Sequence, residues 1–329
     1  MRHVRILGLC LIAAFAVSAM VAGPALARPK AGSNNPKEWN KFENCPVNAP
    51  PAFETFIKSR GCIWGKSGGE TYFQAGNITV HFTKGILLQG GQQSTEHRAC
   101  TAEDELLYYE CSPGYSVKGY FLPQAFVGPE YGNSTLSKAA QPAPSLTEAV
   151  DTALLSPKEL ERYEKYVAAG KTAVTATVEL AGPASSFFLD ETNLLSSYGE
   201  ALGLPVQIKL TNPFLGNTCY VGSNENPIHI SYTTGTTNPP PPNEPLKGKA
   251  GGVFSTNEGA IVHIVEGKLV DNSFASPGVT GCGVAGGADA AINAATGLPS
   301  AAGHNTTVLE GELEQAGQEN VEEAREKGL

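Results

Sequence analysis

Leu204-Pro-Val-Gln-Ile-Lys-Leu-Thr-Asn-Pro-Phe-Leu-Gly-Asn-Thr-Cys-Tyr-Val-Gly-Ser-Asn-Glu-Asn-Pro-Ile-His-Ile-Ser-Tyr232 decides the fold class. Val206, Ile208 and Leu210 alternate with Gln207, Lys209 and Thr211, and Ile228, Ile230 and Tyr232 alternate with His229 and Ser231. A period of two is the pattern of half-buried strands. The Asn-Pro, Leu-Gly and Ser-Asn-Glu-Asn-Pro clusters between them mark turns, and Cys219 sits where a cross-link could hold the connection.

Upstream of this stretch, Thr172 to Leu180 alternates in the same way, with Val174, Ala176, Val178 and Leu180 on one face. Further short strands are expected at Cys62 to Trp64, Thr71 to Gln74, Asn77 to Thr83 and Ile86 to Gln89, with Gly-Lys-Ser-Gly-Gly and Gln-Gly-Gly-Gln-Gln read as the turns between them. Phe187 to Glu191 reads as a strand and turn. Downstream, the extended run Thr233 to Asn243 holds four consecutive prolines. Strands then resume at Gly252 to Phe254, Ala260 to Val265, Lys268 to Val270 and His304 to Leu313.

Helices are few. Pro157 to Ala169 is the best supported: Ser156 and Glu159 form a capping box, Pro157 takes the first helical position, Leu155 and Leu160 make a staple, and Gly170 ends it. Leu160, Tyr163 and Val167 form one apolar stripe that predicts a helix covering the sheet. A second short helix is expected at Ala288 to Ala295.

The ends bound the compartment. Met1 to Arg5 is basic, Ile6 to Val21 is apolar and Ala25-Leu26-Ala27 is a small-residue cleavage site, so residues 1–27 read as a secretory signal peptide. Ser18, Gly23 and Pro24 keep the run shorter than the roughly 20 residues of a membrane span, and no transmembrane segment is expected after processing. Residues 28–44 read as a flexible lead-in, 45–313 as a disulfide-stabilised β-rich domain with a candidate internal boundary at 128–145, and 314–329 as a charged tail, solvated as a frayed helix or disordered. The net charge is −9 and becomes more negative once Arg2 and Arg5 leave, which argues against nucleic acid or an anionic membrane surface as partner.

Cys10 leaves with the signal peptide, and Cys45, Cys62, Cys100, Cys111, Cys219 and Cys282 remain. An even number in an exported chain predicts disulfides. Sequence leaves the connectivity open; chain order makes Cys45/Cys62, Cys100/Cys111 and Cys219/Cys282 the simplest set.

No residue is assigned as catalytic, cofactor-binding or metal-ligating. Gly281-Cys-Gly-Val-Ala-Gly286 matches the dinucleotide glycine pattern. It lacks the strand-to-helix βαβ context and the downstream acidic residue, so it reads as a structural turn. His81, His229 and His263 lie in predicted strands and would form a metal or acid/base site only if those strands were neighbours; His97 and His304 carry no motif. The carboxylates Asp190/Glu191 and Glu103-Asp104-Glu105 could serve glycoside cleavage only if two faced each other across a cleft. Loop solvation or a surface calcium site fits them better, with Asn224, Glu225 and Asn226 another weak calcium candidate. The glycosylation sequons at Asn77, Asn133 and Asn305 matter only in a glycosylating host.

Several phrases resemble a group of secreted actinobacterial proteins of uncharacterised function: Ala181-Gly-Pro-Ala-Ser-Ser186, Asn193-Leu-Leu195, Asn212-Pro-Phe-Leu-Gly-Asn-Thr-Cys-Tyr-Val-Gly-Ser223, Thr233-Thr-Gly-Thr-Thr237, Thr280-Gly-Cys-Gly283 and Gly297-Leu-Pro-Ser-Ala-Ala-Gly303. The resemblance covers roughly 171–313. It implies export and the Cys219/Cys282 pairing, and it brings no catalytic residue.

The expectation is therefore a mainly β chain, an antiparallel sandwich or distorted barrel with one or two short covering helices. Its expected role is that of an exported non-catalytic protein, extracellular or envelope-associated, that binds a surface polymer, protein or small ligand without a cofactor. The alternative is an extracellular hydrolase of cell-wall glycan or ester substrates.

Overall fold

The computed structural model describes residues 36–45, 47, 60–83, 85–96, 117–121, 140–182 and 186–329. The signal peptide, Cys100, Cys111, His97, Glu103 to Glu105, Asn133 and residues 128–139 lie outside them.

In chain order the described elements begin with helix α1 (Pro36–Trp39) and a 3-10 turn at Asn40–Phe42. Strands β1 (Arg60–Ala75), β2 (Ile78–His81), β3 (Leu87–Glu96), β4 (Val117–Phe121) and β5 (Gln141–Ala143) follow. Next come helices α2 (Leu146–Ala149) and α3 (Pro157–Ala168), strands β6 (Val174–Leu180) and β7 (Phe188–Asp190), helix α4 (Glu191–Ser196), and strands β8 (Leu202–Thr211), β9 (Tyr220–Val221) and β10 (Ile228–Tyr232). The chain continues through β11 (Gly252–Thr256), β12 (Ile261–Asp271), β13 (Val279–Thr280), helix α5 (Asp289–Thr296), β14 (Thr306–Gly317) and helix α6 (Gln318–Glu326).

All the ladders are antiparallel. The path runs β11-β12-β14-β1-β3-β4-β7-β8-β6-β5 and folds into two packed layers joined through β4. Among the described residues β11 and β5 do not pair with each other. The fold is a sandwich, and the barrel alternative does not hold. Strand β8 is the hub of the second layer, flanked by β6 and β7 on one edge and by β9 and β10 on the other. Its residues 202–208 are all buried, so Gln207 does not face water as its alternation predicts; its amide donates to Glu179 at 3.2 Å. β10 does keep the expected alternation, with Ile228, Ile230 and Tyr232 inward.

Two glycine clusters expected as turns lie inside strands. Gly-Lys-Ser-Gly-Gly is within β1, where a bulge between Gly68 and Tyr72 absorbs the irregularity, and Gln-Gly-Gly-Gln-Gln is within β3. The strands expected at 260–265 and 268–270 are likewise one strand, β12, with a bulge between Ile264 and Gly267.

Helix α3 matches its prediction. Ser156 accepts from the Glu159 N–H at 3.3 Å, Tyr163 is buried, and Leu160 and Val167 pack on the core. The Glu159 carboxylate does not complete the capping box; it serves a distant loop described below.

The described residues of both ends expected to be loose are packed. Trp39 and Phe42 of the lead-in, and Val321 and Ala324 of the tail, share a second core on the outer face of β1 and β14 with Cys45, Cys62, Trp64 and Ile261. The Arg325 guanidinium donates to the carbonyls of Phe42, Glu43 and Cys45 at 2.8 to 3.0 Å, which ties the last helix to the first turn. The Cys45–Cys62 and Cys219–Cys282 disulfides are present as chain order suggests.

Candidate functional site

The feature with the most capacity for chemistry is a cavity of about 100 Å³ between the layers. Phe73, Val206, Ile230, Ile264, Leu269 and Leu313 make much of its wall, drawn from β1, β8, β10, β12 and β14. Period-two patterning aims these side chains inward from both layers. The polar side chains along the wall are already engaged. Tyr232 Oη and Thr307 Oγ1 lie 2.8 Å apart, and Thr307 donates onward to the Tyr72 carbonyl at 3.0 Å. Thr71 Oγ1 donates to the Gly68 carbonyl, and Ser67 Oγ accepts from the Ile86 N–H. Burial pushes the Tyr232 phenol far above its usual range, so it stays a neutral part of the wall. Lys66 and Glu312, cross-strand partners and exposed, are the charged residues along the lining. Such a site offers shape and apolar contact, with few hydrogen bonds to spare.

A second cluster joins α1 to the β11-β12-β14 edge. His263 Nε2 lies 2.8 Å from Thr256 Oγ1, and His263 Nδ1 lies 3.3 Å from Glu314 Oε1. This is the order hydroxyl, imidazole, carboxylate found in nucleophilic relays. Here the Thr256 hydroxyl donates to Glu38 Oε2 at 2.8 Å, which directs its proton away from the imidazole. Lys41 also pairs with Glu314 Oε1, and the Phe254 ring stacks on His263 with centroids 4.5 Å apart. Burial alone would raise the Glu314 carboxyl, but hydrogen bonds from His263 and Lys41 and their charges hold it below the usual carboxylate range. The hydrogen bonding is that of a clasp between the N-terminal helix and the sheet.

The remaining sequence candidates do not converge. His81 and His229 are exposed on β2 and β10, away from buried His263. Asp190 is fully buried and caps α4 by accepting from the Asn193 N–H at 2.9 Å. Glu191, next to it, turns inward and accepts from Gln92 at 3.0 Å and Gln315 at 2.6 Å. In the 223–226 turn Ser223 binds Glu225, and Asn224 accepts from Gly182. Among the described residues no three His, Cys, Asp or Glu side chains gather as a metal would need.

The 281–286 glycine loop is filled by the chain's own carboxylates. Asp289 accepts from the N–H groups of Gly281 and Cys282 at 3.1 and 2.7 Å, and Glu159 accepts from that of Val284 at 3.1 Å. Gly281 has φ +73°, and a Cβ there would meet the Thr218 carbonyl at 2.3 Å. The loop is thus the structural turn that the sequence suggests, built around Cys282.

Glu191 yields a pH prediction. Burial raises its carboxyl above the usual range, hydrogen bonds from Gln315 and Gln92 offset part of that, and the Asp190 charge pushes it up again. The unfolded chain releases this proton first as pH rises, near ~4.3, so the group's effect on stability becomes progressively less favourable from there to its raised folded value. Glu191→Gln is expected to melt above the native protein at pH 7 and with it at pH 4. An offset of equal size at both pH values would remove Glu191 as the cause.

No protein-family model, curated protein or solved structure matches this chain. Among the described residues no helix is long and apolar enough to cross a membrane.

Proposed function

We propose that this chain is an exported, non-catalytic binding protein that holds a small apolar group between its two β layers. The observation that carries the reading is the cavity: its wall is almost wholly apolar and its uncharged polar side chains are bonded to the protein itself. Apolar cavities of this order of size stay dry and take up benzene-sized guests. The apolar N-terminal run and the two disulfides support export to an oxidising compartment, and the resemblance to secreted actinobacterial proteins points the same way. A ligand with an apolar end and a polar head fits best, the head meeting Lys66 or Glu312 at the lining's exposed positions.

The test is titration of the oxidised mature protein with short-chain alcohols, from butanol to octanol, by calorimetry. Saturable binding is expected, weakened at least about tenfold in Val206→Phe, which fills the space from the β8 side. Ile230→Phe, entering from β10, should do the same, and both variants should keep a cooperative melt. No saturable heat with any chain length would end this reading.

A further inference from the structure

A separate cleft lies at the end of the sandwich where the β1–β2 turn meets the loops at 242–243 and 297–304. It is open to solvent, has a volume of about 480 Å³, and is lined by Gln74, Asn77, Asn243, Ser300, His304 and neighbouring glycines and prolines. This volume is in the range of small-ligand sites.

Its chemistry is the opposite of the interlayer cavity. No Asp, Glu, Lys or Arg lines it, and the polar side chains are amides, a hydroxyl and an imidazole. Asn77, Ser300 and His304 make no side-chain hydrogen bond among the described residues, so their donors and acceptors are open to a guest. Ser300 is held in place through its backbone, which exchanges hydrogen bonds with Ser276 at 2.8 and 2.9 Å in each direction. Pro242, Pro299 and Ala301 add small apolar faces.

The frame beneath is rigid. Fully buried Asn305 accepts from the Gly76 N–H at 3.0 Å and donates to the carbonyls of Phe274 and Ala301 at 2.8 and 3.0 Å. Asn243 Nδ2 donates to the carbonyls of Asn272 and Asn305, both at 2.8 Å. At Gly303, φ is +88° and a Cβ would meet the Pro240 carbonyl at 2.4 Å, so the proline run and the 297–303 loop approach as closely as backbone allows. Buried Asn305 is therefore a strut of this cleft, and its sequon is not accessible to a glycan.

We propose that this cleft binds a neutral polyhydroxylated ligand, a glycan. Uncharged amide, hydroxyl and imidazole groups match the alternating donors and acceptors of sugar hydroxyls, while proline and alanine faces match sugar C–H surfaces. A peptide added as an extra strand is not accommodated, because Gln74 already pairs on both sides, with Thr306 and Thr79. An anion would find no Lys or Arg in the lining.

The experiment is calorimetric or NMR titration of the oxidised mature protein with soluble neutral oligomers of glucose, mannose, galactose and N-acetylglucosamine. Acidic oligosaccharides and neutral peptides serve as comparison. Saturable binding of at least one neutral oligomer is expected, weakened tenfold or more in Asn77→Ala/Ser300→Ala and in His304→Ala, with melting temperature and octanol binding unchanged. Absence of binding across the neutral panel at millimolar concentration would overturn the proposal. So would affinity equal to native in both variants, or preference for the acidic or peptide probes.

Discussion

Replacing Cys219 and Cys282 together by alanine is expected to cost about 4 kcal/mol of stability, because the bridge closes a loop of 63 residues and loop entropy grows with length. Both sulfurs are fully buried. The bridge fastens the turn between β8 and β9 to the 281–286 loop, beside the β9–β13 ladder, which is only two residues long. With net domain stabilities of roughly 5 to 15 kcal/mol, such a loss brings the protein near its threshold. The Cys45–Cys62 bridge spans 17 residues and should cost about 3 kcal/mol when removed. Urea unfolding of the two double variants against the native protein checks both size and order. Losses under 1 kcal/mol for Cys219/Cys282 would mean the loop is held by its own hydrogen bonds.

Phe214→Ala is expected to cost about 3 to 5 kcal/mol. The ring is fully buried and packs edge-on against Tyr163 with centroids 5.6 Å apart, with Tyr166 at 6.4 Å and the Arg162 guanidinium 5.3 Å from its centre. It is the point where helix α3 is pinned to the second layer. Its backbone is fixed independently, since its N–H donates to Asn212 Oδ1 at 2.7 Å, so truncation leaves a void rather than a collapsed loop. Phe214→Leu should lose less than half as much. Equal losses for the two would show that the aromatic contacts, rather than volume, dominate.

The sequence carried the layer pattern but not the sites. Alternation in β10, the N-cap and stripe of α3, and the Cys45/Cys62 and Cys219/Cys282 pairs follow from patterns along the chain, and each is found in the structure, whereas β8 is buried on both faces. Glycine clusters misled because an isolated Gly-Gly reads as a turn, whereas in β1 and β3 these glycines sit in long paired strands. The ends misled because composition outweighed spacing: Trp39 and Phe42, three apart, and Val321 and Ala324, three apart, already mark helical or turn faces amid charged residues. The interlayer cavity draws on strands from β1 to β14, and no local pattern announces a space between side chains that are each ordinary core residues. The same holds for Glu191, whose partners Gln92 and Gln315 come from β3 and β14. His263 is buried between its cross-strand partners Phe254 on β11 and Glu314 on β14, and nothing in its own segment names those partners.

The most direct test of the interlayer site is a crystal of the oxidised mature protein held under xenon pressure, since xenon enters dry apolar cavities without needing a hydrogen bond. Xenon density is expected between Val206, Ile230, Ile264 and Leu269, absent in Val206→Phe crystals treated alike. Continuous side-chain packing there with no xenon bound, or ordered water in its place, would contradict it.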